Sequence, residues 1–373
     1  MPTHRDSILL TGGTGFLGGA VAAELLASSQ WSRAVLLIRA SNPAEGVARL
    51  TANLQRFGVD GAALSRILPE QIICGDITDS AAFASDQRLA AITKVFNCAA
   101  VTSFGSHPKI WQTNVDGTLA FARTIRRLPR LQRFLQVGTA MICGDSPPAL
   151  VREDDYPRTG VQHLVEYTAS KAEAEIRLRE EFGDGPLVVA RPSIVVGHSR
   201  LGCGPSHSIF WAFRISDTLQ RLMGDPERRI DVVPVDFAAH ALLQVLLKPT
   251  LAHRTYHITA GPQVSPSFRQ ISAAFGRALG DKRTTDLYQT VTYDDLVALQ
   301  HRFQDYFGRC NRRLMLKAMK IYGTFAGLGT TFDNTRLLNE GVAPSPCFTD
   351  YLHLCVETSR GHTIPEQMLI DFM

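Results

Sequence analysis

The chain has 373 residues, 45% hydrophobic and 20% charged, with a net charge of +4. This is an ordinary globular composition, long enough for one large α/β domain with an appended unit or for two domains. The charge excess is too small to suggest nucleic acid, and it suits an anionic ligand only where positive charges converge. Seven cysteines (Cys74, Cys98, Cys143, Cys203, Cys310, Cys347 and Cys355) without a C-x-x-C pair argue for free thiols in a reducing compartment. No apolar run approaches the ~20 residues of a membrane span. MPTHRDSILL carries no signal-peptide apolar core or cleavage site, so a cytoplasmic protein is expected.

Taken in chain order, apolar runs at 7–11, 34–38, 71–75, 94–98, 133–137 and 187–191 read as buried strands. Helical stretches such as 15–28 and 43–57 separate them. Near-continuous apolar strands alternating with helices predict a doubly wound, parallel α/β sheet. Further on, 208–223 reads as an apolar helix, and 230–247 as a short extended piece leading into a helix near Asp236. Residues 255–261 read as one more strand. From 262 the chain reads as mainly helical, a smaller C-terminal cap with no sharp boundary before it.

The turn TGGTGFLGG (11–19) directly follows the first strand and opens the first helix. Gly12 and Gly15 permit a tight turn and close approach to a pyrophosphate. Gly18 lets helix and strand pack closely, and the helix N-terminus supplies amide donors. Gly12, Thr14, Gly15, Phe16, Leu17 and Gly18 are therefore the expected dinucleotide-binding turn. The second strand ends in Arg39, with no carboxylate before Glu45, which favours NADPH over NADH. Ligands of open α/β sheets lie at the carboxyl ends of strands, so Asp76 and Ile77 are expected to flank an adenine and Ala99 and Ala100 to admit the cofactor.

VEYTASKAEAE (165–175) is a good helix, and its Tyr167 and Lys171 lie one turn apart on the same face. Thr139 in VGTAMICG stands at the end of the fifth strand. Hydride delivery to a carbonyl builds negative charge on oxygen, and a tyrosine beside a cation would answer that charge.

TGGTGFLG, CGDITD, TNVDGT, VGTAMICG, YTASK and RPSIVVG, in this order, resemble the extended short-chain dehydrogenase/reductases. Arg39, the RPSIV run and DVVPVD are most similar to the branch of fatty acyl-CoA reductases (male-sterility type) and thioester-reductase domains. The resemblance implies Tyr167 as proton donor, Lys171 as the residue that lowers its pKa and holds the nicotinamide ribose, and Thr139 as a hydrogen bond to the same oxygen. Pro192 to Ile194 would flank the carboxamide, whereas Asn114 would be structural. It further implies a Rossmann domain over 1–261, with 198–230 contributing to the substrate site, and a substrate-binding cap over 262–373. Ala172 and Ser170, beside the lysine, depart from the pattern of one acyl-reductase subfamily each.

The expected reaction is NADPH-dependent reduction of an acyl thioester to aldehyde, and on to alcohol if a second hydride follows. The thioester would arrive on CoA or a carrier protein, since these residues hold no carrier or adenylation domain. Reduction of ketones or aldehydes is the first alternative, nucleotide-sugar epimerisation the second and a catalytically dead NADP sensor the third. Phe210, Trp211, Phe213, Phe303, Tyr306, Phe307, Tyr322 and Phe325 are candidate walls of an acyl channel. The basic run Arg309, Arg312, Arg313, Lys317 and Lys320 is a candidate contact for phosphates or an acidic partner, with a solvated helix face as the plainer explanation. No H-E-x-x-H or Cys/His cluster suggests a metal.

Overall fold

The computed structural model describes residues 7–105, 107–280 and 288–372. The charged start of the chain (1–6) and the 281–287 part of the expected cap lie outside them. All seven apolar runs become strands of one sheet: β1 (Ile8–Thr11), β2 (Ala34–Ile38), β3 (Ile72–Cys74), β4 (Lys94–Asn97), β5 (Arg133–Val137), β6 (Leu187–Pro192) and β7 (Thr255–Ile258). The order is β7-β6-β5-β4-β1-β2-β3 and every pairing is parallel.

Around it run α1 (Phe16–Ala27), α2 (Pro43–Gln55), α3 (Thr118–Ile125), α4 (Glu166–Phe182), α5 (Phe210–Leu219), α6 (Val235–Leu247), α7 (Phe268–Leu279), α8 (Arg312–Leu328) and α9 (Phe348–Thr358). Alternate strand residues go to opposite layers. Ile8, Leu10, Leu36 and Phe96 join α1, α2 and α6 in one core. Leu9, Leu37, Val95 and Phe134 join α3 and α4 in the other. Each strand is thus buried on both faces, which is why the strands are mostly apolar rather than alternating.

The C-terminal part returns to the sheet instead of standing apart. Thr331–Phe332 pairs with Leu150–Val151, Asn334 donates to the Thr259 carbonyl at 3.0 Å, and Lys248 meets Glu340 at 2.6 Å. One expectation fails locally: the 208–223 helix ends at Leu219. Gln220 takes a left-handed conformation (φ 53°), and Arg221–Leu222 pairs with Gln289–Thr290 as a short ladder. Among the described residues no helix is long and apolar enough to cross a membrane.

Candidate active site

The strand order reverses between β1 and β4, and the crevice beyond their carboxyl ends is where such sheets bind ligands. The glycine turn is built into it. Gly12 has φ 77°, and a Cβ there would lie 2.9 Å from the Cys98 carbonyl carbon, so the turn hugs the end of β4. A Cβ on Gly18 would lie 2.2 Å from the Gly12 carbonyl oxygen, so only glycine lets α1 start this close to β1. Gly15 is exposed at the start of α1, with Thr14 and Leu17 half-buried and Phe16 stacked on Phe57 at 6.3 Å. These bare backbones at a helix N-terminus form a cradle that a pyrophosphate fits.

Two supports of this cradle escaped the sequence reading. Asn53 of α2 is 6% exposed, and its amide donates to the carbonyls of Gly13 and Gly15, both at 3.0 Å. Its signal was available: Asn53 falls on the apolar stripe Leu50, Leu54, Phe57, where a polar residue needs partners. The Thr11 hydroxyl donates to Asn97 at 2.6 Å and accepts from the backbone of Cys98 and Ala99 at 3.2 Å. Asn97 in turn donates to Gln136, and Gln136 to the Val137 carbonyl.

That same carbonyl accepts from Lys171 Nζ at 3.1 Å. Helix α4 therefore brings Lys171, 5% exposed, against the end of β5, two residues from Thr139. Thr139 is 6% exposed and accepts from the Met141 N–H at 3.2 Å, which leaves its own hydroxyl hydrogen to donate. Tyr167 lies in the first turn of α4, stacked on Phe104 at 5.6 Å. Asn114 bonds both backbone groups of Val101 and the Ser170 hydroxyl, a structural bridge from the β4 loop to α4.

The electrostatics depart from expectation. Burial pushes the Tyr167 phenol up, and the Cys98 thiol beside it acts in the same direction. Burial pulls the Lys171 ammonium down to about 8, and pushes Cys98 up to about 11. Burial is thus the largest cause of both the Tyr167 and the Lys171 shift.

Arg39 is 72% exposed at the rim of the crevice, 3.9 Å from Asp76. Asp76 caps the turn that follows β3 by accepting from Thr78. Ile77 is 4% exposed and belongs to the core, which leaves only its backbone for a cofactor. Ala99 and Ala100 are half-buried beyond β4, while Pro192 is buried at the end of β6 and Ile194 is half-buried just beyond it. Of the proposed channel aromatics, Trp211, Phe213, Tyr322 and Phe325 line one cavity between α5 and α8, with Ile194 on its wall. Phe210, Phe303 and Phe307 pack in the hydrophobic cores, with partly buried Tyr306 against them. In the basic run Arg309, Arg313, Lys317 and Lys320 are exposed, the last three on α8, whose opposite face buries Met315, Ala318 and Met319.

Residues 10–242 match the family model described as male sterility protein. The chain belongs to the male sterility protein family. Membership makes it an NAD(P)-dependent oxidoreductase. It is 27% identical over 309 residues to the non-canonical nonribosomal peptide synthetase FrzA of Cladobotryum sp, covering 78% of this chain and 29% of that one. It is 26% identical to fatty acyl-CoA reductase 2 of Mus musculus, covering 69% of this chain and 58% of that one. This male sterility family member thus spans under a third of the length of the former. The terminal R domain from the myxalamid PKS-NRPS biosynthetic pathway superposes with a TM-score of 0.75 at 22% identity, covering 96% of this chain and 91% of that one, which establishes a shared fold.

Proposed function

We propose that this male sterility family member is an NADPH-dependent reductase of an acyl thioester, carried on CoA or on a carrier protein, giving an aldehyde and, by a second round, an alcohol. The observation that supports it most is Lys171 held two residues from Thr139 at the end of β5, with Tyr167 one turn before it on α4, beside a glycine cradle at the sheet's switch point. The chain's relatives include a fatty acyl-CoA reductase and a nonribosomal peptide synthetase, which supports thioesters as substrates.

The residues fit the dinucleotide. Gly12, Gly15, Gly18 and the N-terminus of α1 would hold its pyrophosphate, Arg39 its 2′-phosphate, and Lys171 its nicotinamide ribose. Bound there, the reduced dinucleotide supplies the hydride. Tyr167 gives its proton to the substrate oxygen, and the burial that pushes its phenol up keeps that proton in place until charge develops on the oxygen. Thr139 donates its free hydroxyl hydrogen to the same oxygen. Lys171, held on the Val137 carbonyl, keeps its other N–H groups for the ribose and is mostly ammonium at neutral pH.

The test is Tyr167→Phe, assayed by NADPH oxidation and product analysis with a panel of acyl-CoAs. Turnover should fall by ~10²–10⁴-fold, the usual weight of a positioned proton donor, while NADPH affinity changes little. Intact turnover would overturn the mechanism, and wild-type activity on ketones alone would overturn the thioester.

A further inference from the structure

We infer that the cavity between α5 and α8 takes an unbranched hydrocarbon acyl chain, and that Gly323 and Met223 set the chain length accepted. This rests on the thioester-reductase reading and adds what hangs from the thioester. The cavity is walled by Trp211, Phe213, Leu219, Met319 and Phe325. Its polar lining is sparse. Ser216 is one such group, and the Arg221 guanidinium is already engaged, donating to the Leu219 carbonyl at 2.9 Å. A peptidyl group would bring amides that need partners on burial, whereas a hydrocarbon chain brings none.

Stacked rings link the cavity wall to the reaction site. Phe104, stacked on Tyr167, also stacks on Tyr322 at 5.2 Å and 12° and meets Phe325 at 5.3 Å. Tyr322 and Phe325 are themselves cavity walls, and Ile194, the last residue of the segment expected beside the carboxamide, is another. A chain leaving a carbonyl at Tyr167 would therefore run past the Phe104 ring, against Tyr322 and Phe325, to reach the cavity.

Gly323 occupies the interior of α8, where glycine gives up helix propensity relative to alanine. A Cβ there would lie 2.7 Å from Met223 Sδ and 3.0 Å from its Cβ. The bare position lets the Met223 side chain lie against the helix, and both residues face the cavity. Methionine is a flexible filler, so a larger residue at 323 would drive its thioether into the space, and a smaller one at 223 would enlarge that space.

The experiment measures kcat/KM for CoA esters from butyryl to palmitoyl, and in parallel for the unbranched aldehydes of the same lengths. Wild type should gain about four-fold per added methylene until the cavity fills, the equivalent of ~0.8 kcal/mol per buried CH₂. Gly323→Leu should lower the lauroyl-to-butyryl ratio at least roughly ten-fold, and Met223→Ala should move the optimum to longer chains. A flat wild-type profile, or an unshifted optimum in Met223→Ala, overturns the inference even if Gly323→Leu fails to fold. If only aldehydes are turned over, yet show the profile and its shift, the cavity assignment stands and the thioester falls. Turnover of CoA esters with no dependence on length gives the reverse.

Discussion

Arg39 follows a buried strand but stays in water, 3.9 Å from the Asp76 carboxylate. An exposed ion pair of that length holds it weakly, so the guanidinium is free to turn to a ribose 2′-phosphate. Charge-assisted bonds to phosphate are strong when desolvated, but solvent at this rim reduces the gain to ~1 kcal/mol. Arg39→Ser should therefore raise KM for NADPH by roughly five- to ten-fold and leave KM for NADH nearly unchanged. Steady-state kinetics with both dinucleotides decides it, and an equal effect on the two would remove Arg39 from cofactor choice. The neighbouring Asn53 illustrates a different kind of residue. It is not itself a candidate ligand contact, yet its two bonds to Gly13 and Gly15 hold the cradle in shape.

At the scale of elements, α4 is fastened to β6 by a buried ion pair as well as by packing. Arg191 is fully buried and donates to Glu175 at 2.6 and 3.0 Å, to the Glu153 carbonyl at 3.0 Å and to the Tyr156 carbonyl at 2.5 Å. Glu175, 2% exposed, lies one turn beyond Lys171 and also accepts from Arg179. Glu175→Ala would strand a guanidinium in the interior, which costs ~3–5 kcal/mol. Thermal melts should show the midpoint falling by several degrees, together with weakened NADPH binding as α4 loosens. A drop equal to that of a surface Glu→Ala control would contradict this. None of this pairing was legible in the sequence, where Glu175 looked like one more helix former and Arg191 like part of a motif. The seven strands were legible because burial on both faces writes an apolar run for each. So was the glycine cradle, because its close approaches admit no side chain. The truncation at Leu219 was not, since it depends on Arg221 and Leu222 finding a strand partner some 70 residues later. The rise in the Tyr167 pKa escaped for the same reason: spacing shows that a lysine is near, but only packing shows how dry the site is.

At the scale of the whole molecule, the seam between β7 and the C-terminal part is closed around His257. Its Nδ1 lies 2.9 Å from the Asp333 carbonyl, its ring meets Phe332 edge-on at 5.6 Å, and Nε2 sits 3.5 Å from the Arg191 guanidinium. Burial pulls its pKa down to about 3, and the charge of Arg191 adds to that, against the opposing pull of Asp333. In the unfolded chain the imidazole would protonate near ~6.5. Between these values the unfolded state holds a proton that the folded state refuses. The stabilisation is therefore complete above about 6.5 and is lost as pH falls towards about 3, by on the order of 5 kcal/mol at the limit. Glu153, whose carboxyl is pushed up by burial, works in the opposite direction over part of that range. Wild-type melting alone would mix the two. His257→Gln keeps a side-chain donor for Asp333 and removes the titration, while Glu153 is common to both proteins. The difference in melting temperature between wild type and His257→Gln should hence shrink or reverse as pH drops from 7 towards 4. Parallel curves over that range would show that the seam does not depend on an uncharged His257.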